Sequence, residues 1–320
     1  MRGLIFATAL LLPATVAAAP PTLVTEAAAP VTSPALLYGA GQFDMISNIT
    51  GRTYRIYLSK LPKASPAEGF PVLYALDADF TFGMANAEAS AAPRENRAAT
   101  IVVGIGYPDG NPWRRRNADL TPSVPTGANL ADVEKEEGGP VKPGSYGDAE
   151  GFHRFMTEEL RPILVQHFHA SPTNQSLMGY SLGGLFALNV LFRHPDSYRS
   201  YVIGSPSIWW NDREVLKYEA TFSALVRSGK VAPRILITSA EWEQSDAAPT
   251  LPASGLERVK ALAEMRDGAM VDNARALATR LKALIGGGSY KVAYALFPEE
   301  THLTGVAAAT SRGVTFVTSK

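Results

Sequence analysis

Gly179, Tyr180, Ser181, Leu182 and Gly183 form a Gly-x-Ser-x-Gly pattern, with Gly184 next in line. An apolar stretch, Ser176 to Met178, leads in, and a second one, Leu182 to Phe192, leads out. In a strand, turn, helix setting the pattern has a mechanical meaning. A sharp turn lifts the serine hydroxyl off the edge of a sheet, and side chains two residues to either side would collide with the packing beneath, so glycine stands there. The helix that follows directs its dipole and the N–H of Leu182 at the point where a carbonyl oxygen would become negative. The chemistry implied is acyl transfer through a covalent serine intermediate.

That chemistry needs a base, and the chain has five histidines. With a nucleophile on a strand-to-helix turn, the acid and then the base follow it in the chain. His153, His167 and His169 precede Ser181. His194 ends the helix that starts at the serine, roughly 20 Å away at the helical rise, and reads as a helix C-terminal cation. His302 remains, just past the apolar run Val292 to Phe297. The acid belongs at the end of the preceding strand, where Ile235 to Thr238 runs into Ala240, Glu241, Trp242, Glu243, Gln244, Ser245 and Asp246. A carboxylate there would hold the imidazole tautomer and stabilise the imidazolium. Glu243 is favoured, Glu241 is second and Asp246 third.

Other residues have two readings each. Arg114, Arg115 and Arg116 could draw an anionic substrate toward the cleft, Arg116 being the candidate contact, or they are a solvated loop charge. Trp209 and Trp210 line an acyl or aromatic pocket, or cover the sheet edge. His167 and His169 have a metal-compatible spacing but no surrounding ligand cluster, so no metal is expected. Gly104, Gly106 and Gly110 miss the spacing of a dinucleotide turn.

The elements that must position these groups alternate between strands and helices. Arg52 to Ser59 alternates polar and apolar residues, as an edge or antiparallel strand does. Val72 to Leu76, Ile101 to Ile105, Ser176 to Met178, Tyr201 to Ile203, Ile235 to Thr238 and Val292 to Phe297 are more evenly apolar, as buried parallel strands are. Helical periodicity runs through Asp148 to His167, with Pro162 bending it or opening its final segment, and through Leu182 to Phe192. It also covers Leu256 to Leu284, divided near Gly268 and ended by Gly286 to Gly288. Pro108 to Pro143 has no clear periodicity and reads as one long connection. The pattern predicts a mostly parallel central sheet with helices on both faces.

Composition narrows the function classes. Thirty basic residues balance thirty acidic ones, and there is no cysteine. The first fact leaves no basic field for a nucleic acid. The second excludes disulfides, thiolate metal sites and cysteine nucleophiles. Residues 1–18, with Arg2, an apolar run and a small-residue end at Ala18, read as a signal peptide. Residues 19–35 read as a flexible leader and 36–320 as a single domain, so the expected location is periplasmic or secreted, without a stable membrane anchor.

Taken together, these residues resemble the esterase branch of the α/β-hydrolase superfamily, in particular its exported siderophore-esterase-like members. The resemblance runs from about Gly41 to the C-terminus. It rests on Arg52 to Pro62, Val72 to Phe80, Asn117 to Pro122, Glu158 to Leu160, the serine turn and the Ser-Pro-Ser-x-Trp-Trp run ending at Trp210. It departs at Ala78, where the family usually has glycine, and at Leu303, where a small residue often follows the histidine. The resemblance implies the α/β-hydrolase fold, nucleophile Ser181, base His302, acid Glu243, and a second oxyanion donor at the N–H of Asp79 beside that of Leu182. It implies a small-molecule ester substrate, of siderophore type, and no cofactor. An acyltransferase using the same residues, or a non-catalytic binding protein on the same fold, are the alternatives.

Overall fold

The structure is a computed structural model that describes residues 37, 39–59, 66–108 and 112–319. The expected signal peptide and leader lie outside the described residues. Strands β1 (Gly41–Ile46), β2 (Thr53–Leu58), β3 (Phe70–Leu76), β4 (Ile101–Gly106), β5 (Ala170–Tyr180), β6 (Ser200–Gly204), β7 (Arg234–Ala240) and β8 (Lys291–Phe297) make one sheet. Its order is β1-β2-β4-β3-β5-β6-β7-β8. β2 pairs antiparallel with β1 and with β4, and every other pairing is parallel. The helices are α1 (Ala78–Ala91), α2 (Pro112–Leu120), α3 (Gly127–Glu137), α4 (Ala149–Arg154), α5 (Arg161–Phe168) and α6 (Leu182–Arg193). Further along come the short α7 (Trp210–Arg213), then α8 (Glu219–Arg227), α9 (Gly255–Gly268), α10 (Met270–Lys282) and α11 (Gly305–Thr318).

Side chains alternate across the sheet and so feed two separate cores. Val72, Tyr74 and Leu76 of β3, Leu177 of β5 and Ile235 and Ile237 of β7 enter the larger core with Leu185 and Phe186 of α6 and Leu277 of α10. Leu73, Ala75, Met178, Val202 and Leu236 point the other way, onto Phe82 and Ala85 of α1 and Val314 and Val317 of α11. This is the expected α/β-hydrolase layering.

Three local readings are refined. The alternating strand after Arg52 is antiparallel, one of its two readings, but it is not at the edge, because β1 pairs outside it. The stretch after Pro108 is not one irregular connection: α2 and α3 occupy most of its described residues. Their charged composition hides the helices, and α2 is anchored instead by polar burial. Asp119, fully buried, takes hydrogen bonds from Arg52 Nη1 at 2.9 Å, Tyr54 Oη at 3.0 Å and Tyr107 Oη at 3.0 Å. In the third case, the single periodic stretch from Asp148 becomes α4, a π-helical segment Phe155–Leu160 and α5. Pro162 sits in the first turn of α5, where a missing N–H is tolerated. The divided helix near Gly268 appears as α9 and α10.

The strand order turns around at β3, which lies between β4 and β5. The carboxyl ends of β3 and β5 therefore lie side by side with connections leaving in opposite directions, the place where open parallel sheets form ligand crevices. β3 ends one residue before Asp77, and β5 ends one residue before Ser181.

Candidate active site

Ser181 joins β5 to α6 with φ 60° and ψ −120°, a backbone conformation that L-residues rarely adopt. Its N–H donates to Gly204 O at 3.0 Å, and its own carbonyl accepts from Leu185 and Ser207. Gly179 has the expected steric reason, since a Cβ there would overlap the Gly183 carbonyl. Gly183 is less tightly held, with a Cβ 3.1 Å from Asp77 Oδ2, whereas one on Gly184 would lie 2.5 Å from Gly204 O.

The hydroxyl reaches the far end of the chain. Ser181 Oγ lies 3.0 Å from His302 Nε2, and His302 Nδ1 lies 2.6 Å from Glu243 Oε1. Glu243 is buried, and its other oxygen accepts the Ala240 N–H at 3.0 Å, so the short 3-10 turn Glu241–Glu243 folds back on the end of β7. Of the three acid candidates, Glu243 is the one brought to the imidazole. The Glu241 carboxylate instead accepts the N–H of Glu299, while Trp242 N–H donates to Glu300 O. These two bonds bind the acid's loop to the loop that carries His302. Asp246 is exposed.

Tyr180, beside the serine, was not singled out by sequence. Its hydroxyl donates to Glu243 Oε1 at 3.3 Å, the same oxygen that faces His302, and its ring lies 5.2 Å from the imidazole. Burial, and then the negative charge of Glu243, hold its phenol far above the usual range, so it is a hydrogen-bond donor throughout the working pH range. The space it occupies is kept open by Gly305, where a Cβ would come within 2.7 Å of the Tyr180 hydroxyl.

The two backbone donors expected from the sequence both lie at helix starts. Leu182 opens α6 and Asp79 lies in the first turn of α1, positions whose N–H groups have no partner within their own helix. Asp77, the N-cap of α1, has φ 52° and is held by Arg116, with Nε at 2.6 Å and Nη2 at 2.8 Å from its carboxylate oxygens. Arg116 lies in the wall of the cavity in front of Ser181, but its guanidinium is buried and forked onto Asp77. The open, anion-drawing loop arginine expected there is instead a brace between α2 and the turn after β3.

Two cavities of about 730 Å³ each meet at His302 and Leu303. The first contains Ser181 and is walled by Phe80, Met84, Trp113, Tyr180 and Val306. The second reaches Glu243 and is walled by Trp209, Trp242, Leu251, Met265 and Met270. The tryptophan pair is thereby divided. Trp209 faces this second cavity, whereas Trp210 is buried and stacks on Tyr146 at 5.8 Å, so its expected place in a substrate pocket gives way to a core role. Phe80 and Trp113, their rings 4.6 Å apart and tilted by 33° at the first cavity, were not singled out as site residues by the sequence.

A hydroxyl, an imidazole and a buried carboxylate in series, at the carboxyl edge of a mainly parallel sheet covered on both faces, define a serine hydrolase of the α/β type. Residues 47–267 match the family described as Putative esterase, and the chain belongs to that family. It is 33% identical to the ferri-bacillibactin esterase BesA of Bacillus subtilis over 85% of this chain and 87% of the relative. It is 34% identical to the siderophore triacetylfusarinine C esterase of Aspergillus fumigatus over 77% of this chain and 80% of the relative. Among solved structures it is similar to the BES protein from Bacillus cereus, with a TM-score of 0.72 and 26% identity, covering 91% of this chain and 100% of that one. The protein is a carboxylic ester hydrolase that acts on small-molecule esters. No helix among the described residues is long and apolar enough to cross a membrane.

The turn geometry makes a direct prediction. In Gly179→Ala the new methyl group meets backbone that cannot rotate away, so the start of α6 must shift. The expected outcome is a loss of roughly 2–3 kcal/mol in urea unfolding together with a fall in ester turnover. A wild-type unfolding midpoint with wild-type turnover would contradict the steric reading.

Proposed function

We propose that Ser181 attacks the ester carbonyl while His302 takes its proton at Nε2, and that Glu243 holds Nδ1–H toward itself and stabilises the imidazolium. The N–H groups of Leu182 and Asp79 receive the oxyanion, and His302 returns the proton to the departing alcohol. Water, deprotonated by the same imidazole, then releases the acid from Ser181. Tyr180 positions the acid and stabilises its charge through its hydroxyl, which donates to Glu243. The single observation that supports this most strongly is the unbroken series Ser181 Oγ, His302 Nε2, His302 Nδ1 and Glu243 Oε1 at 3.0 and 2.6 Å.

The proposed substrate is a siderophore-type ester. Two roomy cavities on either side of His302 suit a bulky ester whose acyl and alcohol parts leave the reacting carbon in different directions, more than a short linear ester requires. The relatives named above as siderophore esterases support the same reading. We also propose that residues 1–18 are removed on export, that 19–35 form a leader to a single domain from 36 onward, and that the enzyme works in the periplasm or outside the cell.

Kinetics test the assignment. Ser181→Ala and His302→Ala should each lower kcat by about 10⁴–10⁶, and Glu243→Gln by about 10⁴, with KM for p-nitrophenyl acetate little changed. Turnover of Ser181→Ala equal to wild type would remove the serine from the mechanism. Against a panel of iron-free and ferric trilactone siderophores, hydrolysis products seen by mass spectrometry should appear for at least one. Cleavage of p-nitrophenyl acetate with none of the trilactones opened would refute the substrate class and leave the mechanism standing. Protein recovered from the periplasm or medium should begin at Ala19 on N-terminal sequencing, and an intact Met1 there would refute the processing.

A further inference from the structure

Outside the serine site, Glu150, His153 and His194 form the one group of three metal-ligating side chains, among the described residues, whose ligand atoms lie within 4.8 Å of one another. Glu150 and His153 stand three residues apart in α4, a spacing that puts both on one face of a helical turn. His194 follows the last residue of α6. His194 Nε2 is 3.1 Å from Glu150 Oε2, and the two imidazole rings face each other at 4.6 Å with their planes 26° apart.

His153 is the unusual member. It is 6% exposed, and its Nε2 is buried with no hydrogen-bond partner. A buried ring nitrogen left without a partner is uncommon, because it has lost its hydration without replacement. His194 and Arg193 both approach Glu150 Oε2, each at 3.1 Å, so this oxygen already faces the imidazole. Arg193 also lies over the Tyr218 ring at 5.4 Å, a seat it keeps if the carboxylate turns toward an ion.

We propose that Glu150, His153 and His194 form a zinc site that ties α4 to the far end of the helix carrying Ser181. Two imidazoles and one carboxylate are a zinc donor set, and they leave a fourth tetrahedral position for water. Nitrogen donors favour zinc over calcium or magnesium, which take oxygen ligands. With zinc–ligand bonds of about 2.0–2.1 Å, neighbouring ligand atoms on a tetrahedron stand roughly 3.3 Å apart. The His194 and Glu150 atoms, at 3.1 Å, are already near that spacing. The three ligand atoms lie within 4.8 Å of one another, so His153 closes the site by moving its ring toward the other two, and its Nε2 has no hydrogen bond to give up. The side chains of His194 and Glu150 are 32% and 42% exposed, which gives the ion its entry path. The role is structural: zinc braces the carboxyl end of α6 and takes no part in ester cleavage.

The test uses the mature chain, stripped with EDTA and titrated with zinc chloride by calorimetry and thermal unfolding. One saturable ion with a micromolar or tighter Kd is expected, with a rise in Tm of roughly 5 °C once zinc exceeds Kd a hundredfold. His194→Gln and Glu150→Gln should each weaken binding at least about tenfold and abolish the Tm rise. Their turnover of p-nitrophenyl acetate in EDTA should equal wild type, which establishes that both variants fold. No saturable binding up to millimolar zinc would overturn the proposal. So would equal affinity in the wild type and both variants, since the ion would then sit elsewhere.

Discussion

Everything at the site depends on the backbone of Ser181 being held at φ 60° and ψ −120° between β5 and α6. Such a conformation persists only where surrounding bonds over-determine it. Here they run as a continuous series along the carboxyl edge of the sheet. Ser181 N–H binds Gly204 at the end of β6, Ser205 N–H binds Thr238 in β7, Ala240 N–H binds the Glu243 carboxylate, and Trp242 N–H binds Glu300. The first two links tie one strand end to the next, the third folds the acid's turn back on the end of β7, and the last reaches the loop of His302. Residues that are 121 positions apart in the chain, Ser181 and His302, are thereby fixed at 3.0 Å.

The polar groups around this edge are arranged so that each buried charge has partners. Glu243 is surrounded by three donors: His302, Tyr180 and the Ala240 N–H. Asp77 is neutralised by the fork of Arg116. An unpaired carboxylate in either place would be costly, and breaking a buried pair from one side typically costs about 3–5 kcal/mol. The Asp77 and Arg116 pair also has a geometric consequence. It fixes the turn in which α1 begins, and Asp79 in that turn lines the same cavity as Ser181. The oxyanion role proposed for its N–H requires a donor already in place before charge develops.

The fold class was legible because the parallel strands read as apolar runs, and six strand positions were visible that way, with β2 marked by its alternation instead. β1 was not: Gly41 to Ile46 is mostly exposed at the sheet edge, and its alternation is short, with only Phe43 and Met45 packed on the core. The helices α1 and α11, rich in alanine, glycine and threonine, also carried no distinctive stripe. In the site, Ser181 and His302 were readable because rare residue types and chain order leave few choices. Glu243 was one of three because the selection among neighbouring acids is made by a three-residue turn whose direction no local pattern encodes. Trp209 and Trp210 are chemically identical and adjacent, and only the path of the chain past Ser207 decides which is core and which is cavity wall. Arg116 looked like one charge in a basic run, and its partner Asp77 became visible only when α2 was placed against the end of β3.

The most direct measurement of the central claim is trapping of the covalent intermediate. The enzyme is mixed with an excess of p-nitrophenyl acetate, quenched in acid within milliseconds to seconds, and examined by intact-mass and peptide mass spectrometry. The account predicts a single acetyl group, carried by the peptide containing Ser181, that accumulates in the wild type and is not formed in His302→Ala on the same timescale. An adduct on any other residue, or turnover of the ester at the wild-type rate with Ser181 unmodified throughout, would contradict it.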